Sequence, residues 1–482
     1  MSDLVERVRR LPPTALAFLG SLLLSLVAFA GTVTVGKDAA LYLAVAQQAL
    51  EQGPQAAFQR FDWPWFSLLL AGTHWLSALP LEPAAYLWGA FFMAATCALL
   101  VSVSERFAAG SGYWACLVVL SMPAFNHFRD DIIREQGFWF FCLLALSLAL
   151  GWLESGGWRR AALIQLATVC ACLFRLEAVL VLPAIALCLV GDLHRRAGWL
   201  RLVQLSALPL AAVLIAALAM LARGGITQPR IAYYLSLLDP RTLVAGFNLM
   251  ASQFASAALA KYSTDDAGKI VFFGVTVTML AKFFTLSGPL ALPLLHPQSG
   301  QVVRAYWQRL RPFAWAWLAY YGVLFLFFIQ QHFINSRYLS LLNLLAAPLL
   351  AVACLLFARS FPRLAKALVV AAVVVMLSNV ISLGTKKTHY LEAASWLSRN
   401  TNPADSIYYE DVRIAYYAGR GYPDMPETRE QVMTPQQSAK FRYFVLAPKP
   451  GDPLYLWLTE QRKPVLGQFT NRKGDTVVIM GH

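Results

Sequence analysis

The sequence predicts an all-α polytopic membrane protein of about eleven spanning helices, followed by a small C-terminal α/β domain. Two observations predict this class. Of the 482 residues, 58% are hydrophobic and 14% are charged, whereas a soluble domain carries about 45–50% apolar and about 25% charged residues. The apolar residues also form repeated blocks of about 15–25 residues, the length that a helix needs to cross about 30 Å of hydrocarbon. We therefore expect the lipid bilayer to surround most of the chain.

The predicted membrane module covers residues 1–384. Its candidate spans are 13–32, 84–104, 112–127, 138–153, 160–174, 177–191, 199–221, 270–293, 313–331, 338–358 and 367–384. A further apolar block, Pro64 to Leu81, is interpreted as a helix at the outer interface, because counting it as a span would invert every later loop. The short pair 160–174 and 177–191 is predicted to cross twice, which places Arg175 and Glu177 at an outer turn.

Basic residues determine the predicted topology. They lie mainly in short loops, such as the one with Arg159 and Arg160, and loops of this kind face the cytoplasm. We therefore expect a bacterial inner-membrane protein with an uncleaved first span and a cytoplasmic N-terminus. The predicted outer segments are 33–83, 128–137, 222–269 and the terminal domain in the periplasm. The net charge of +14 is explained by this topology, so no nucleic-acid partner is expected.

Residues 385–482 differ from the rest in their dense charge. The pattern predicts a helix from Tyr390 to Arg399, strands Ser406 to Tyr409 and Arg442 to Leu446, a helix from Pro453 to Arg462, and a hairpin across Asn471 to Asp475. That is a small α/β domain. All seven cysteines lie in the apolar blocks instead, which indicates neither a disulfide framework nor a zinc site.

Asp38 is the first candidate for chemistry, because charges at the outer ends of spans are costly unless they are paired or used. It follows Lys37 at the end of the first span and opens an amphipathic helix in which Tyr42 lies one turn on, on the same face. One interpretation makes Asp38 a general base at the membrane surface. The other makes it the N-cap of a helix from Ala39 to Gln52, for which Asp is favoured.

The second outer loop concentrates charge between two spans. Its charged residues are Arg129, Asp130, Asp131, Arg134 and Glu135. Guanidinium groups suit a phosphate, and the carboxylates could orient them or hold a cation. An exposed, ion-paired turn is the alternative.

Later outer turns repeat this chemistry. Arg175 and Glu177 form one turn, and His332, Arg337 and Tyr338 lie between two late spans. Arginine again suits phosphate, although Arg337 could also be an interfacial topology anchor. We predict Arg129, Arg134, Arg175, Arg337 and Tyr338 as ligands of a phosphate group, which would be that of the sugar donor in the resemblance described below, and Lys37, Tyr42, Glu177 and His332 as further substrate contacts.

The order of these elements resembles the GT-C superfamily of membrane glycosyltransferases. It is most similar to the dolichyl-phosphate-mannose protein mannosyltransferase-like family (glycosyltransferase family 39), which includes the lipid A aminoarabinose transferase. The similarity covers roughly residues 10–385 in layout, and the terminal segment looks like the small outer domain of bacterial members. The residues that carry it are Asp38, the run Phe61-Asp62-Trp63-Pro64-Trp65, the charged second loop, Phe174-Arg175-Leu176-Glu177 and Ser336-Arg337-Tyr338-Leu339.

This resemblance implies a single inverting transfer of a sugar from a polyprenyl-phosphate donor to a periplasmic glycan, lipid A or protein hydroxyl. Asp38 matches the family's first-loop catalytic acid, but Ala39 stands where many members carry a second acid. The second-loop acid matches Glu135 or a residue just before it, with Asp130 and Asp131 as alternatives. No cofactor or metal is predicted, although the carboxylates of the second loop are also compatible with binding of a divalent cation.

Two other classes of protein also handle lipid-linked sugars or buried charge. A transporter or flippase would carry inverted repeats with charges near the bilayer midplane, and the sequence has no recognisable repeat. An O-antigen polymerase or ligase relies on a large late periplasmic loop and usually lacks a soluble terminal domain.

Overall fold

The computed structural model describes residues 11–222, 239–382, 384–425 and 427–481. The chain divides into two compact units. The first unit comprises Met1–Val27, Trp88–Arg129 and Arg134–Val380. The second unit comprises Ala28–Leu87, Asp130–Ile133 and Ile381–His482. The first outer loop thus falls in the same unit as the C-terminal segment.

Long apolar helices dominate the first unit. Within the described residues, eight helical segments are long and apolar enough to cross a membrane: Pro13–Gly31, Leu81–Phe107, Glu135–Ser155, Arg196–Ile215, Lys261–Leu295, Arg311–Gln331, Ser336–Ser360 and Pro362–Val380. The chain is therefore a multi-span membrane protein, as the sequence predicts. The number eleven itself stays a prediction, because other predicted spans form shorter helices.

Three of these shorter segments are informative. The predicted span 112–127 forms the helices Gly112–Ser121 and Pro123–Asn126, and 160–174 lies in the 17-residue helix Trp158–Phe174. The prediction of one helix over 177–191 is wrong. That segment forms a 3₁₀ turn, Leu176–Leu180, the helix Val181–Leu187 and a second 3₁₀ turn, Val190–Asp192. Pro183 lacks an amide hydrogen and suits the first turn of a helix, and the α-helix of this segment begins two residues before it, at Val181.

The remaining first-unit helices connect the spans. The helix Arg196–Ile215 continues to Ala222, and Ala267–Ser287 is preceded by the 3₁₀ turn Lys261–Asp266 and followed by the 3₁₀ segment Gly288–Leu295. Pro240–Ala258, of 19 residues, and Ser299–Arg309, of 11 residues, are further helices of this unit. Part of the predicted outer loop 222–269, residues 223–238, lies outside the described residues.

The second unit begins with three helices: Lys37–Gln52, Pro54–Arg60 and Trp65–Ser77. The last has 13 residues, too few to cross a bilayer, so its prediction as a helix that does not span agrees with its length. Its place at the interface stays a prediction.

The C-terminal part of this unit contains the helices Thr388–Asn400, Val412–Tyr417, Arg429–Val432, Pro435–Ser438 and Pro453–Glu460. The strands are β1 (Ile407–Tyr409), β2 (Tyr443–Leu446), β3 (Val465–Thr470) and β4 (Thr476–Gly481), in the order β1-β2-β4-β3. β1 and β2 are parallel, and the other pairs are antiparallel. The predicted α/β fold is confirmed.

The strands β2 and β4 are buried on both faces of the sheet, whereas β3 is largely exposed. Neighbouring residues of a strand point to opposite faces, so Val445 and Ile479 enter one apolar core while Phe444 and Met480 enter the other. Both cores are covered by helices of the same unit, which explains why these short strands read as continuous apolar runs.

Candidate functional site

Three helix ends bring charged side chains together in the first unit. Glu135 is the first residue of the helix Glu135–Ser155, and Arg175 caps the C-terminus of Trp158–Phe174. Arg337 is the second residue of Ser336–Ser360. With Arg134, which is the N-cap of the helix Glu135–Ser155, and with Glu177 and Tyr338, these residues form what we call the charge cluster.

Arg175 is the centre of the charge cluster. Its Nη1 donates to Glu135 Oε1 at 2.6 Å, and its Nη2 donates to Glu177 Oε1 at 2.5 Å. The Arg337 Nε atom lies 3.5 Å from the same Glu135 oxygen. Because the Arg175 side chain is only 9% exposed while that of Arg337 is 21% exposed, Arg337 is the cation nearer to solvent.

The ring of Tyr338 supports both guanidinium groups. The Arg175 Cζ atom lies 4.6 Å from the ring centroid and the Arg337 Cζ atom lies 5.5 Å from it. A cation over an aromatic face is stabilised by the ring quadrupole, and more strongly where water is excluded. Tyr338 therefore fixes the two arginines in position.

The charge cluster has an excess of positive charge. Arg134 interacts electrostatically with both Glu135 and Glu177. Three guanidinium groups against two carboxylates leave one positive charge, which an anionic ligand would neutralise. Beside Glu177 lies a cavity of about 20 Å³, lined mainly by apolar residues and by Tyr320, large enough for about one water molecule.

Close helix packing sets the spacing of these charges. A Cβ atom at Gly137 would lie 2.5 Å from Phe174 Cζ, so only glycine lets the two helices approach this closely. Gly137 follows Glu135 by two residues, and Phe174 directly precedes Arg175. The close approach therefore occurs beside the Glu135–Arg175 ion pair.

The turn before Arg337 is held by local contacts. His332 takes a left-handed conformation, φ 57°, where it caps the helix Arg311–Gln331, and it is exposed. The Asn335 side chain accepts from the Arg337 amide, and Lys282 donates to the Ile334 carbonyl. The structure thus gives His332 a role in the chain turn, and its substrate contact stays a prediction.

Arg129 lies apart from the charge cluster, inside the first unit, and is 1% exposed. Its Nε donates to Asn126, and its Nη1 donates to Ser21 and Ser25. These partners give Arg129 a structural environment, so Arg134 is the second-loop arginine that we carry into the functional proposal.

Asp38 lies in the second unit, and its interpretation as an N-cap is wrong. The helix begins at Lys37, with Gly36 as the N-cap in an extended conformation, so Asp38 is a half-buried residue of the first turn. There its charge is favoured by the helix dipole. Tyr42, one turn on, is buried and packs against Phe61 and Phe66, which gives it a core role.

Lys37 contacts a second charged group in the same unit. Its Nζ lies 3.8 Å from Asp411 Oδ2, and Arg413 donates to both oxygens of Asp411 at 2.8 and 2.6 Å. Tyr390 donates to Asp411 at 3.4 Å. Burial alone would raise the pKa of Asp411, but the hydrogen bonds and charge of Arg413, with Lys37, hold it below its ordinary value.

Asp130 and Asp131 belong to the second unit, whereas Glu135 belongs to the first. Asp131 Oδ1 lies 3.6 Å from a Cβ position at Gly36, which places it beside the start of the Asp38 helix. The Tyr86 hydroxyl interacts electrostatically with both aspartates and forms no hydrogen bond with any described residue. Among the described residues, no group of three or more His, Cys, Asp or Glu side chains could hold a metal ion.

Sequence reasoning missed several residues of these groups. Tyr320 interacts electrostatically with Arg175 and Glu177 but lies within an apolar span, and nothing in the sequence distinguishes it from other span aromatics. Asp411 and Arg413 lie far along the chain from Lys37, so only the folded structure brings them together.

The long apolar helices, the charge cluster at helix ends and the small α/β fold define a multi-span membrane protein. Comparison with solved structures identifies a particular fold relative, ArnT from Cupriavidus metallidurans. Its apo crystal structure matches over 97% of each chain, with a TM-score of 0.55 and 13% identity. A structure of ArnT bound to undecaprenyl phosphate matches over 97% of each chain, with a TM-score of 0.47 and 12% identity. No family model and no curated protein matches the sequence. The apo structure confirms the predicted fold.

Proposed function

We propose that this protein is an inverting glycosyltransferase that moves a sugar from a polyprenyl-phosphate donor to a periplasmic acceptor in the bacterial inner membrane. The observation that carries the proposal is the charge cluster, a buried group with one excess positive charge at the ends of apolar helices. Burying charged side chains beside apolar helices costs free energy, so such groups usually serve a function, and binding of a lipid-linked anion is a function that fits them. The shared fold with ArnT supports the proposal.

The donor phosphate is assigned to Arg337 and Arg134. Arg337 is the more exposed of the two arginines that contact Glu135. The Arg175 guanidinium already forms ion pairs with two carboxylates. Arg175 is therefore a positioning residue, which orients Glu135 and so the side chain of Arg337. Cations at the phosphate oxygens stabilise the negative charge that develops as the sugar leaves.

Asp38 is assigned as the general base. The acceptor oxygen attacks the anomeric carbon, its proton passes to the Asp38 carboxylate, and the bond from that carbon to the phosphate oxygen breaks. The polyprenyl phosphate leaves with the electron pair, and the configuration inverts. Asp38 is half buried in a first helical turn, where the helix dipole favours a negative charge. Asp130 and Asp131 are the alternative acids in the same unit.

Two structural features argue against the rival classes. Transporters bind substrates near the bilayer midplane in broken helices, whereas Glu135 and Arg337 stand at the first and second residues of their helices. Polymerases and ligases usually lack a terminal domain, whereas this chain ends in a four-stranded α/β fold. A specific sugar and acceptor are left to experiment.

The test measures free polyprenyl phosphate, which is the product whatever the sugar. Purified protein in nanodiscs is given hexosyl or pentosyl polyprenyl phosphates, with and without periplasmic and outer-membrane glycan extracts. We expect release that depends on the acceptor, and its loss in Arg337→Ala. Arg363→Gln, an exposed basic residue at another helix start, is the matched control. Movement of intact donor across a vesicle membrane without release would instead identify a flippase and overturn the proposal.

A further inference from the structure

A pocket of about 320 Å³ opens in the first unit at the opposite end of the Glu135–Ser155 helix from the charge cluster. It is lined by Arg106, Phe107, Leu150, Leu153, Glu154, Gln308, Arg309, Leu310, Arg311 and Pro312. A helix of 21 residues is about 30 Å long, which matches the thickness of the hydrocarbon core. The pocket therefore lies at the other membrane surface, which the sequence predicts to be cytoplasmic.

The pocket is positively charged. Three arginines and one glutamate line it, for an excess of two positive charges. The Arg106 Nη2 donates to Glu154 at 2.6 Å, and Arg309 donates from Nη1 to the Phe107 carbonyl at 3.3 Å. The Arg311 side chain lines the pocket beside them. Since each guanidinium offers five N–H donors, the three side chains retain donors for a ligand.

The surface beside the pocket is apolar and suited to lipid. Val303 and Trp307 lie one turn apart on the helix Ser299–Arg309, and both are exposed. Trp307 packs edge-on against Trp315, with ring centroids 5.8 Å apart. Tryptophan is enriched where a protein meets the membrane interface, and a short helix with one apolar face lies in that interface. A ligand in the pocket can thus have its acyl chains in the bilayer.

We propose that this pocket binds the phosphate group of an anionic phospholipid from the same leaflet. The two excess positive charges favour an anionic headgroup over a zwitterionic one. The leucines of the pocket and the exposed Trp307 favour a lipid over a free phosphate ion, which has no apolar part. This site is separate from the charge cluster and does not depend on the proposed function.

The test measures binding of phosphatidylglycerol and of phosphatidylcholine to the purified full-length protein by native mass spectrometry. We expect the wild type to bind at least one phosphatidylglycerol about tenfold more tightly than phosphatidylcholine. The double variant Arg309→Gln and Arg311→Gln should lose about fivefold in affinity for each arginine removed. Arg304→Gln, on the same helix but outside the pocket, should bind as the wild type does.

Two further variants keep the proposal testable if the double variant is unstable. Arg309→Lys with Arg311→Lys keeps the charge and should retain most of the preference. Glu154→Gln should tighten phosphatidylglycerol binding, because it frees the Arg106 guanidinium. Equal binding of the two lipids, an equal loss in Arg304→Gln, or displacement of the lipid by millimolar inorganic phosphate would each overturn the proposal.

Discussion

Glu135 holds two guanidinium groups through a single carboxylate oxygen. Its Oε1 contacts both Arg175 and Arg337, while Oε2 forms no hydrogen bond with any described residue. Removing one member of a buried ion pair leaves an uncompensated charge, which destabilises a protein by about 3–5 kcal/mol. Glu135 is therefore a poor first target for mutagenesis, because a loss of fold would mask a loss of chemistry.

Arg337 is a better target, because it is partly exposed and interacts with Glu135 at longer range. If it binds the donor phosphate through its planar fork, Arg337→Lys should weaken donor use and Arg337→Ala should weaken it further. Transfer rates over a range of donor concentrations measure the effect, with thermal stability as the control for folding. Wild-type kinetics in both variants would remove Arg337 from the site.

Asp38→Asn separates chemistry from helix stability. The substitution removes a charge from the first turn, which should lower stability by about 0.3–1 kcal/mol. Losing a general base should lower turnover by about 10²–10⁴-fold. The measurement is polyprenyl phosphate release by the purified variant, beside its melting temperature. Near-normal release would move the search for the base to Asp130 or Asp131.

At the scale of single elements, Asp411 joins a strand to a helix. It follows β1, and its side chain accepts from the Arg413 amide as the N-cap of Val412–Tyr417. The same carboxylate binds the Arg413 side chain. One residue thus supplies both a helix cap and an ion pair, so its protonation should loosen the whole helix.

The expected pH dependence follows from the lowered pKa of Asp411. A carboxyl group whose pKa is lower in the folded state stabilises the fold above its unfolded pKa, about 3.9, and loses that effect as the pH falls through its folded pKa. At pH 7, Asp411→Asn should reduce the opening free energy of this helix by about 1–3 kcal/mol.

Hydrogen exchange of peptides from residues 407–420 measures this difference. The wild type should lose protection on acidification and converge with Asp411→Asn once the pH has fallen below the folded pKa of Asp411. Glu392→Gln, an exposed acid on a neighbouring helix, is the control and should follow the wild type throughout. A constant gap between wild type and Asp411→Asn at every pH would contradict the prediction.

Local signals predicted elements well where one pattern dominated. The strands around Tyr408 and Phe444 and the helix after Asp452 were predicted because turn residues and apolar periodicity agree there. The segment 177–191 was not, because its apolar composition is compatible with a span, whereas the chain there forms two 3₁₀ turns around a seven-residue helix. The partners of individual side chains were harder still to predict from the sequence. Arg129 and Arg134 lie five residues apart, and only packing places Arg129 among serines and Arg134 within electrostatic reach of Glu177.

At the scale of the whole chain, the basic loops predict how the protein is oriented in the membrane. The cluster of arginines in short loops predicts that residues 385–482 and the second loop face the periplasm. Cysteines introduced at Ser398 and His127, both exposed, in a background without the native cysteines, should react with an impermeant maleimide in spheroplasts. Arg195→Cys, exposed in a predicted cytoplasmic loop, should react only after the inner membrane is permeabilised. The reverse pattern would invert the topology.

Gly137 links apolar packing to charge in the first unit. Because its missing side chain allows Phe174 to approach, the separation of two helices fixes the length of the ion pair between Glu135 and Arg175. A methyl group at position 137 would alter the electrostatics of the charge cluster without adding or removing a charge.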